Sequence, residues 1–384
     1  MQMGSRDVKE STVSQTPAVY DCAHIKSMSL EFGSMPCPLK CSYCYGNGSY
    51  HQPLSFRKPQ IPLSVDEILG VLDQARELGL SGVGIIGPHE PIREPELMLL
   101  VKGIRAKGLR VTIFTKGAYF NESLARELCC YDVTLGITVH SLRPSIHDCL
   151  SGVVGTHAKM MRGLRLLLKA GYNKKPGKLL IQSVIVRQNL SDLMDVWRWA
   201  RKNKFTPFFE RLTIQGRARE CARELIVAPE ILEDLFTNIA EIDEKEYGHK
   251  WTPHPPWVGM NCQRHRDSCH MTHDGYIQPC TGVDIPVGNV RDADLARILR
   301  NSTIIKNLRN IRETIKRACK NCTLRMDCYG CRGHAYQLTG DYLAEDPCCW
   351  ENPAVHNVKL MTAGPCSVSD DSHPNVHNGN LSPM

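Results

Sequence analysis

No apolar run in the 384 residues approaches the roughly 20 that span a bilayer, so no membrane-spanning helix is expected. The N-terminus, MQMGSRDVKESTVSQTP, is polar and lacks the apolar core of a secretory signal, which makes the cytoplasm the expected location. A basic motif interleaved with aromatics is also missing, which argues against nucleic acid as a partner despite a net charge of +7. The basic stretches near 159–178 and 297–320 have helical spacing and read as solvated faces, or else as docking faces for an acidic partner. With 42% hydrophobic and 23% charged residues, the chain has a globular composition, and its length suits two to three domains.

What the chain has in excess is cysteine, with eighteen residues. Disulfides are rare in the cytosol, so cysteines clustered at short spacing point to metal. Cys129, Cys130, Cys149 and Cys221 are scattered and read as buried thiols that pack like small hydrophobes. The others are clustered.

Residues 1–24 read as a flexible tail. Strand-like and helix-like segments then alternate: strand 25–32, helix 64–79, strand 82–87, helix 94–107, strand 110–115, helix 121–130, strand 133–139, helix 156–170, strand 179–186, helix 190–203 and strand 205–214. Ser64 and Glu67 form a capping box at the first helix, and Gly79 sits near its end. Six strands separated by helices predict an α/β fold with a parallel sheet, curled by right-handed crossovers into a partial (β/α)6 barrel of the TIM type over 25–228. Chemistry in such barrels sits at the C-terminal ends of the strands. A helix over 229–246 leads into a cysteine-rich segment, the two together forming a second unit at 229–350 that needs metal to hold its loops. Residues 351–384 are rich in Ser, Asn, Pro, His and Gly and read as a disordered tail.

Directly after the first strand comes Cys37-x3-Cys41-x2-Cys44. Three thiolates so close together leave one iron of a [4Fe–4S] cluster without a protein ligand, an open site for a small molecule. Zinc wants four ligands, commonly in C-x2-C pairs, and no fourth lies nearby. The loop resembles the signature of the radical S-adenosylmethionine (SAM) superfamily, with Tyr43 at the aromatic position before the third cysteine. The resemblance implies that SAM chelates the open iron and is cleaved reductively to a 5′-deoxyadenosyl radical. It also implies roles for residues at the later strand ends. Gly87-Pro-His-Glu90-Pro91 resembles the family's Gly-Gly-Glu-Pro, which makes Glu90 the partner of the SAM amino group, although the second Gly is not reproduced. Thr115-Lys116-Gly117 stands where relatives often have Thr-Asn-Gly. Thr138 and Ser141 stand where relatives contact the ribose, Asn189 is placed to reach SAM, and Arg217 of Gln215-Gly-Arg-Ala is placed to pair with the SAM carboxylate.

A second field comprises Cys262-x6-Cys269-x10-Cys280, then Cys319-x2-Cys322-x5-Cys328-x2-Cys331, then Cys348-Cys349. It resembles the SPASM domain, which carries two auxiliary [4Fe–4S] clusters, although the family spacing before Cys331 is x3. The resemblance assigns Cys262, Cys269, Cys280 and Cys331 to the first cluster. It assigns Cys319, Cys322, Cys328 and Cys348 to the second, with Cys349 as the alternative to Cys348. Clusters held by four thiolates each would serve electron transfer and structure. Paired zinc ribbons in a non-catalytic binding protein are the competing reading of the second field.

An auxiliary cluster that accepts the substrate's electron gives an oxidation. A thiol that returns hydrogen gives an epimerisation, with Cys22, Cys149, Cys221 and the spare of Cys348 and Cys349 as sources. Thr281 stands where sulfatase-maturing relatives carry a basic Asp, which argues against formylglycine formation. The 24-residue tail is too short for a leader-peptide module. These points favour two-electron oxidation of a small polar precursor such as an aminocyclitol or sugar, with a peptide or protein substrate as the alternative and a flavodoxin or ferredoxin as reductant.

Overall fold

The computed structural model describes residues 21–46, 61–87, 89–259, 262 and 264–351. The expected tails, 1–24 and 351–384, lie outside these residues except for 21–24 and 351, and Ala23 is buried. Six strands, β1 (Ser27–Glu31), β2 (Gly82–Ile86), β3 (Arg110–Thr115), β4 (Thr134–Thr138), β5 (Leu179–Ile185) and β6 (Thr206–Arg211), pair in parallel in chain order. Between them run helices α1 (Val65–Glu77), α2 (Leu97–Ala106), α3 (Glu122–Cys130), α4 (Pro144–Ser151), α5 (Thr156–Lys169) and α6 (Leu193–Lys202). The capping box forms as expected: Glu67 N–H donates to Ser64 Oγ at 3.2 Å, and Ser64 N–H donates to the Glu67 carboxylate at 2.8 Å.

Alternation along the strands sorts the residues. On β5, Leu179, Ile181, Ser183 and Ile185 are buried, while Leu180, Gln182 and Val184 face a central cavity. The same period turns Thr112 and Phe114 of β3, Thr134 and Thr138 of β4, and Phe208 and Glu210 of β6 inward. Gly136 lies among them, because a Cβ there would come within 2.5 Å of the Phe114 ring.

The sheet extends beyond the expected six strands. β7 (Trp257–Val258) pairs antiparallel with β6, and β8 (Ser268–Met271) pairs parallel with the free edge of β1. β9 (Tyr276–Gln278) and β10 (Gly288–Asn289) continue outward, which makes one ten-stranded sheet in the order β10-β9-β8-β1-β2-β3-β4-β5-β6-β7. The cysteine-rich part of the chain therefore closes both edges of the barrel sheet. These strands are two to four residues long, too short for a periodicity to announce them. Helix α4 was also unexpected. It explains a second difference: its buried residues are His147, Leu150 and Ser151, so Cys149 is exposed. On α3 the buried face takes Ala125, Leu128 and Cys129 and leaves Cys130 exposed. Neither is the buried thiol the sequence suggested.

The seam between β1 and β8 is polar. His270 Nδ1 lies 3.1 Å from Ser29 Oγ, and the Glu31 carboxylate lies 3.6 Å from His270 Nε2 and 3.2 Å from His273 Nδ1. Burial pushes the Glu31 carboxyl up, but the bonds from His270 and His273 outweigh it and hold the group at about 2, against an ordinary 4.5. The unfolded chain binds the extra proton between these values. Stability from Glu31 is therefore present above pH 4.5 and lost as pH falls toward 2, by about 3 kcal/mol at most. Urea midpoints of the reconstituted parent and of reconstituted Glu31→Gln are expected to differ at neutral pH and to draw together as pH falls through 4.5; parallel curves would refute the assignment.

Candidate active site

The loop after β1 carries Cys37, Cys41 and Cys44 at the C-terminal end of the sheet, where the barrel rule placed it. Its backbone is pinned from several sides. Lys40 N–H donates to Ser151 O at 3.1 Å and Ser42 N–H to Leu150 O at 3.3 Å, both at the end of α4. Arg93 Nη1 donates to Pro36 O at 2.9 Å. Arg217 N–H donates to Cys44 O at 3.0 Å, and its guanidinium donates to Cys41 O at 3.3 Å. Gly216, at φ +54°, is the close approach that permits this: a Cβ would come within 2.4 Å of Tyr45 O.

The three thiols open onto a cavity of about 620 Å³. Glu90 and Thr138 lie on its wall, whereas Ser141, Asn189 and Arg217 do not. The Glu90 carboxylate accepts from the Thr115 hydroxyl and from Lys116 N–H at 2.9 Å; burial pushes its pKa up against these bonds. Thr138 Oγ1 donates to Gln182 Oε1 at 3.3 Å. Ser141 and Arg143 both bond Asp192, which fixes the chain entering α4. Asn189 folds back to accept from Val186 N–H at 3.0 Å and to donate to Val184 O at 3.0 Å, shaping the turn after β5.

Several residues in and beside the cavity were given no role in the sequence, and Lys116 was noted there only as a departure from Thr-Asn-Gly. Lys116 Nζ donates to the Tyr43 hydroxyl and lies 4.6 Å from the centre of its ring, and His140 Nε2 is 2.5 Å from the same hydroxyl. Gln182 Nε2 donates to Glu210 Oε1 at 2.6 Å. Arg264 lies over the Trp257 ring at 4.9 Å. Strand alternation was the one available signal, and it marks Gln182 and Glu210.

The same cavity reaches Cys262, Cys269, Cys280 and Cys331. They come from the segment before β8, from β8 itself, from the turn after β9, and from the N-cap of the helix Arg332–Thr339. Cys319, Cys322 and Cys328 lie on and after the short helix Arg317–Lys320. Cys348 Sγ lies with His334 and Asp346, all three offering donor atoms within 4.8 Å of one another. Cys349 is buried, and the charge of Cys319 reaches it.

Thiols are the donors that iron–sulfur clusters take. Burial, followed by repulsion from Cys41, Glu90 and Cys44, pushes the Cys37 thiol up. Burial pushes Cys269, Cys280 and Cys328 up to about 12. Crowded buried thiols resist ionising, and a polycationic metal core is what makes thiolates favourable in such a place.

Two family models match the chain: the radical SAM superfamily over residues 36–200 and the SPASM iron–sulfur cluster-binding domain over 262–323. The chain is a radical SAM enzyme with a C-terminal SPASM domain. The radical SAM enzyme is 25% identical over 345 residues to the AdoMet-dependent heme synthase of Nitratidesulfovibrio vulgaris, covering 83% of this chain and 90% of the relative. It is 23% identical over 358 residues to the PqqA peptide cyclase of Granulibacter bethesdensis, covering 87% and 90%. Among solved structures, Streptococcus suis SuiB bound to S-adenosylmethionine matches with a TM-score of 0.61 at 17% identity, over 85% of this chain and 75% of that one. Native anSMEcpe with bound AdoMet matches with a TM-score of 0.60 at 15% identity, over 83% and 93%. These neighbours share the fold. The cofactors of the radical SAM enzyme are SAM and [4Fe–4S] clusters. Among the described residues no helix is long and apolar enough to cross a membrane.

Proposed function

We propose that this radical SAM enzyme oxidises one residue of a peptide, removing one hydrogen atom beside Cys37, Cys41 and Cys44, passing one electron toward Cys262, Cys269, Cys280 and Cys331, and releasing the second hydrogen as a proton to solvent. The observation that carries this reading is the single cavity whose wall holds both sets of thiols. When bound, SAM and its cluster supply a 5′-deoxyadenosyl radical able to take hydrogen from an unactivated C–H bond.

In this reading Cys37, Cys41 and Cys44 would hold the SAM-binding cluster. Glu90, whose carboxylate Thr115 and Lys116 N–H orient, would receive the SAM amino group. Thr138 would lie on the nucleoside side. Ser141, Asn189 and Arg217 act one step back: they fix the strand ends and the cysteine loop rather than touching SAM. The first auxiliary cluster rests on Cys262, Cys269, Cys280 and Cys331. The second rests on Cys319, Cys322, Cys328 and either Cys348 or Cys349. The barrel unit 25–228 thus makes the radical, and the unit 229–350 receives the electron. A flavodoxin or ferredoxin would supply the reducing electron.

A peptide is better supported than the small polar precursor suggested by the sequence, because PqqA peptide cyclases recur among the relatives that match over most of this chain. A macrocycle, to which the heme synthases point, suits the site less well. The cavity of about 620 Å³ has the size of an ordinary small-molecule pocket and must also admit SAM, which leaves room for one side chain.

The test uses anaerobically reconstituted enzyme with SAM, dithionite and short peptides encoded beside its gene. A peptide lighter by the mass of two hydrogens, formed together with 5′-deoxyadenosine, is expected. Unchanged peptides alongside an oxidised aminocyclitol or sugar would overturn the reading.

A further inference from the structure

Taking two hydrogens from a peptide residue leaves a proton to be received inside the cavity, and neither SAM nor a cluster is a base for it. Among the described residues two carboxylates line the cavity, Glu90 and Glu210. Glu90 is bonded by the Thr115 hydroxyl and Lys116 N–H and is assigned to SAM. Glu210 has no part in any step so far. It is the last residue but one of β6, and strand alternation turns it inward. Its charge acts on Tyr45, the neighbour of Cys44, and on Arg264, two residues from Cys262. It therefore lies between the two sets of thiols.

The carboxylate is aimed without being neutralised. Gln182 Nε2 donates to Glu210 Oε1 at 2.6 Å, and Thr138 Oγ1 donates to Gln182 Oε1 at 3.3 Å, which fixes the amide with its NH2 toward Glu210. The indole N–H of Trp257, opposite Glu210 on β7, bonds the same carboxylate. Both donors are uncharged, and among the described residues no cation comes within the 4.0 Å of an ion pair. The charges of Arg264 and Lys116 reach Glu210 from farther off, but burial outweighs them and pushes its pKa above the ordinary 4.5. A carboxylate made more basic in this way is suited to accept a proton near neutral pH.

We propose that Glu210 is the general base of the oxidation and takes the second hydrogen as a proton on its way to solvent. This rests on the peptide reading and adds a catalytic residue to it. The C–H bond breaks first, and its hydrogen atom leaves in 5′-deoxyadenosine. A neighbouring N–H, O–H, S–H or C–H bond of the peptide then breaks, and its proton goes to Glu210. Of the three electrons left on the two peptide atoms, two form the new bond and one passes toward Cys262, Cys269, Cys280 and Cys331. The cavity continues past Thr134 to the half-buried Lys178, at the opposite ends of β4 and β5, which gives the proton a way out.

The probe is the encoded peptide that the reconstituted, SAM-loaded parent oxidises, compared in Glu210→Gln and Glu210→Asp. In Glu210→Gln the kcat for oxidised peptide is expected to fall about 100-fold or more, the usual contribution of a general base. The amount of 5′-deoxyadenosine formed per oxidised peptide rises. Iron content and calorimetric affinity for SAM stay at the parent's values, which separates loss of the base from loss of the site. The parent's rate falls toward acid along a one-proton limb lying above pH 4.5; Glu210→Asp keeps such a limb at a reduced rate, and Glu210→Gln loses it. Arg264, Lys116 and Tyr45 are the charged and titratable groups facing Glu210, and residues of these types titrate on the alkaline side, so none supplies an acid limb. A kcat within about three-fold of the parent's in Glu210→Gln overturns the proposal. So does an acid limb that survives in that variant, or an effect on KM alone, which would make Glu210 a group that only holds the peptide. Should Glu210→Gln fail to hold its iron, Glu210→Asp decides, and a rate and limb equal to the parent's overturn it. An oxidising parent beside an equally active Glu210→Gln sinks the base alone. A parent that oxidises none of the peptides sinks the underlying reading and the base with it.

Discussion

Enzyme in which Cys37, Cys41 and Cys44 are all alanine is expected to form no 5′-deoxyadenosine above the protein-free background and to carry about eight irons per chain instead of about twelve. The expected difference is four irons because one loop holds one cluster and the remaining thiols are far along the chain. The variant should still fold. The contacts that pin the loop run through its backbone: Lys40 N–H to Ser151 O, Ser42 N–H to Leu150 O, and Arg217 N–H to Cys44 O. None needs a thiol. Circular dichroism unchanged from the parent, with the radical product gone, separates loss of chemistry from loss of structure. Retained 5′-deoxyadenosine would show that the triplet is not where SAM is cleaved. A parent iron content near four would remove the auxiliary clusters, and with them the proposed route for the substrate's electron.

The largest loss of stability is expected at Asp346. Its carboxylate is fully buried and pairs at 2.5 Å with Arg211, which closes β6. It also accepts from Cys331 N–H at 2.8 Å and from Cys348 N–H at 3.0 Å, so one side chain ties the barrel to two cysteine-bearing turns. Burial pushes its pKa up, yet the charge of Arg211 and the bond from His334 hold it well below the usual carboxylate range. Asp346→Ala leaves a guanidinium that is 2% exposed without its counter-charge and two half-buried N–H groups without acceptors. Breaking a buried pair in this way costs about 3–5 kcal/mol. Urea unfolding of the anaerobically reconstituted protein should show this loss, and reconstitution of the variant should recover fewer irons. The double change Arg211→Met with Asp346→Leu should regain part of it, because the uncompensated charge is gone while the two N–H groups stay unpaired. A loss below about 1 kcal/mol in Asp346→Ala would mean that the pair is solvated in solution.

The parts legible in the sequence share a property: each is a regular spacing. The triplet 37-41-44, the capping box at Ser64 and Glu67, and the alternation along β5 are local repeats, and all are found where the spacing places them. What was not legible depends on residues that meet only in the fold. Arg211 and Asp346 are 135 residues apart, and nothing in the periodicity of either segment calls for the other. Lys116 looked like a departure from a motif, yet its ammonium sits on Tyr43, 73 residues earlier. Strands β7 to β10 are legible only as partners for edges that the barrel leaves open, and an open edge is a property of the sheet rather than of any stretch of sequence.

The pairing of β1 with β8 bears on how the protein is made. Ser27 lies opposite Ser268, so β1, once it has left the ribosome, waits for a partner synthesised some 240 residues later. At about 5–20 residues per second that wait lasts roughly 10–50 seconds. Throughout it, the edge of β1 next to the cysteine loop presents unpaired backbone groups to every other nascent chain. Delivery of metal to the loop during translation would therefore reach a half-built sheet, and a chain stalled before residue 268 is the form most exposed to aggregation.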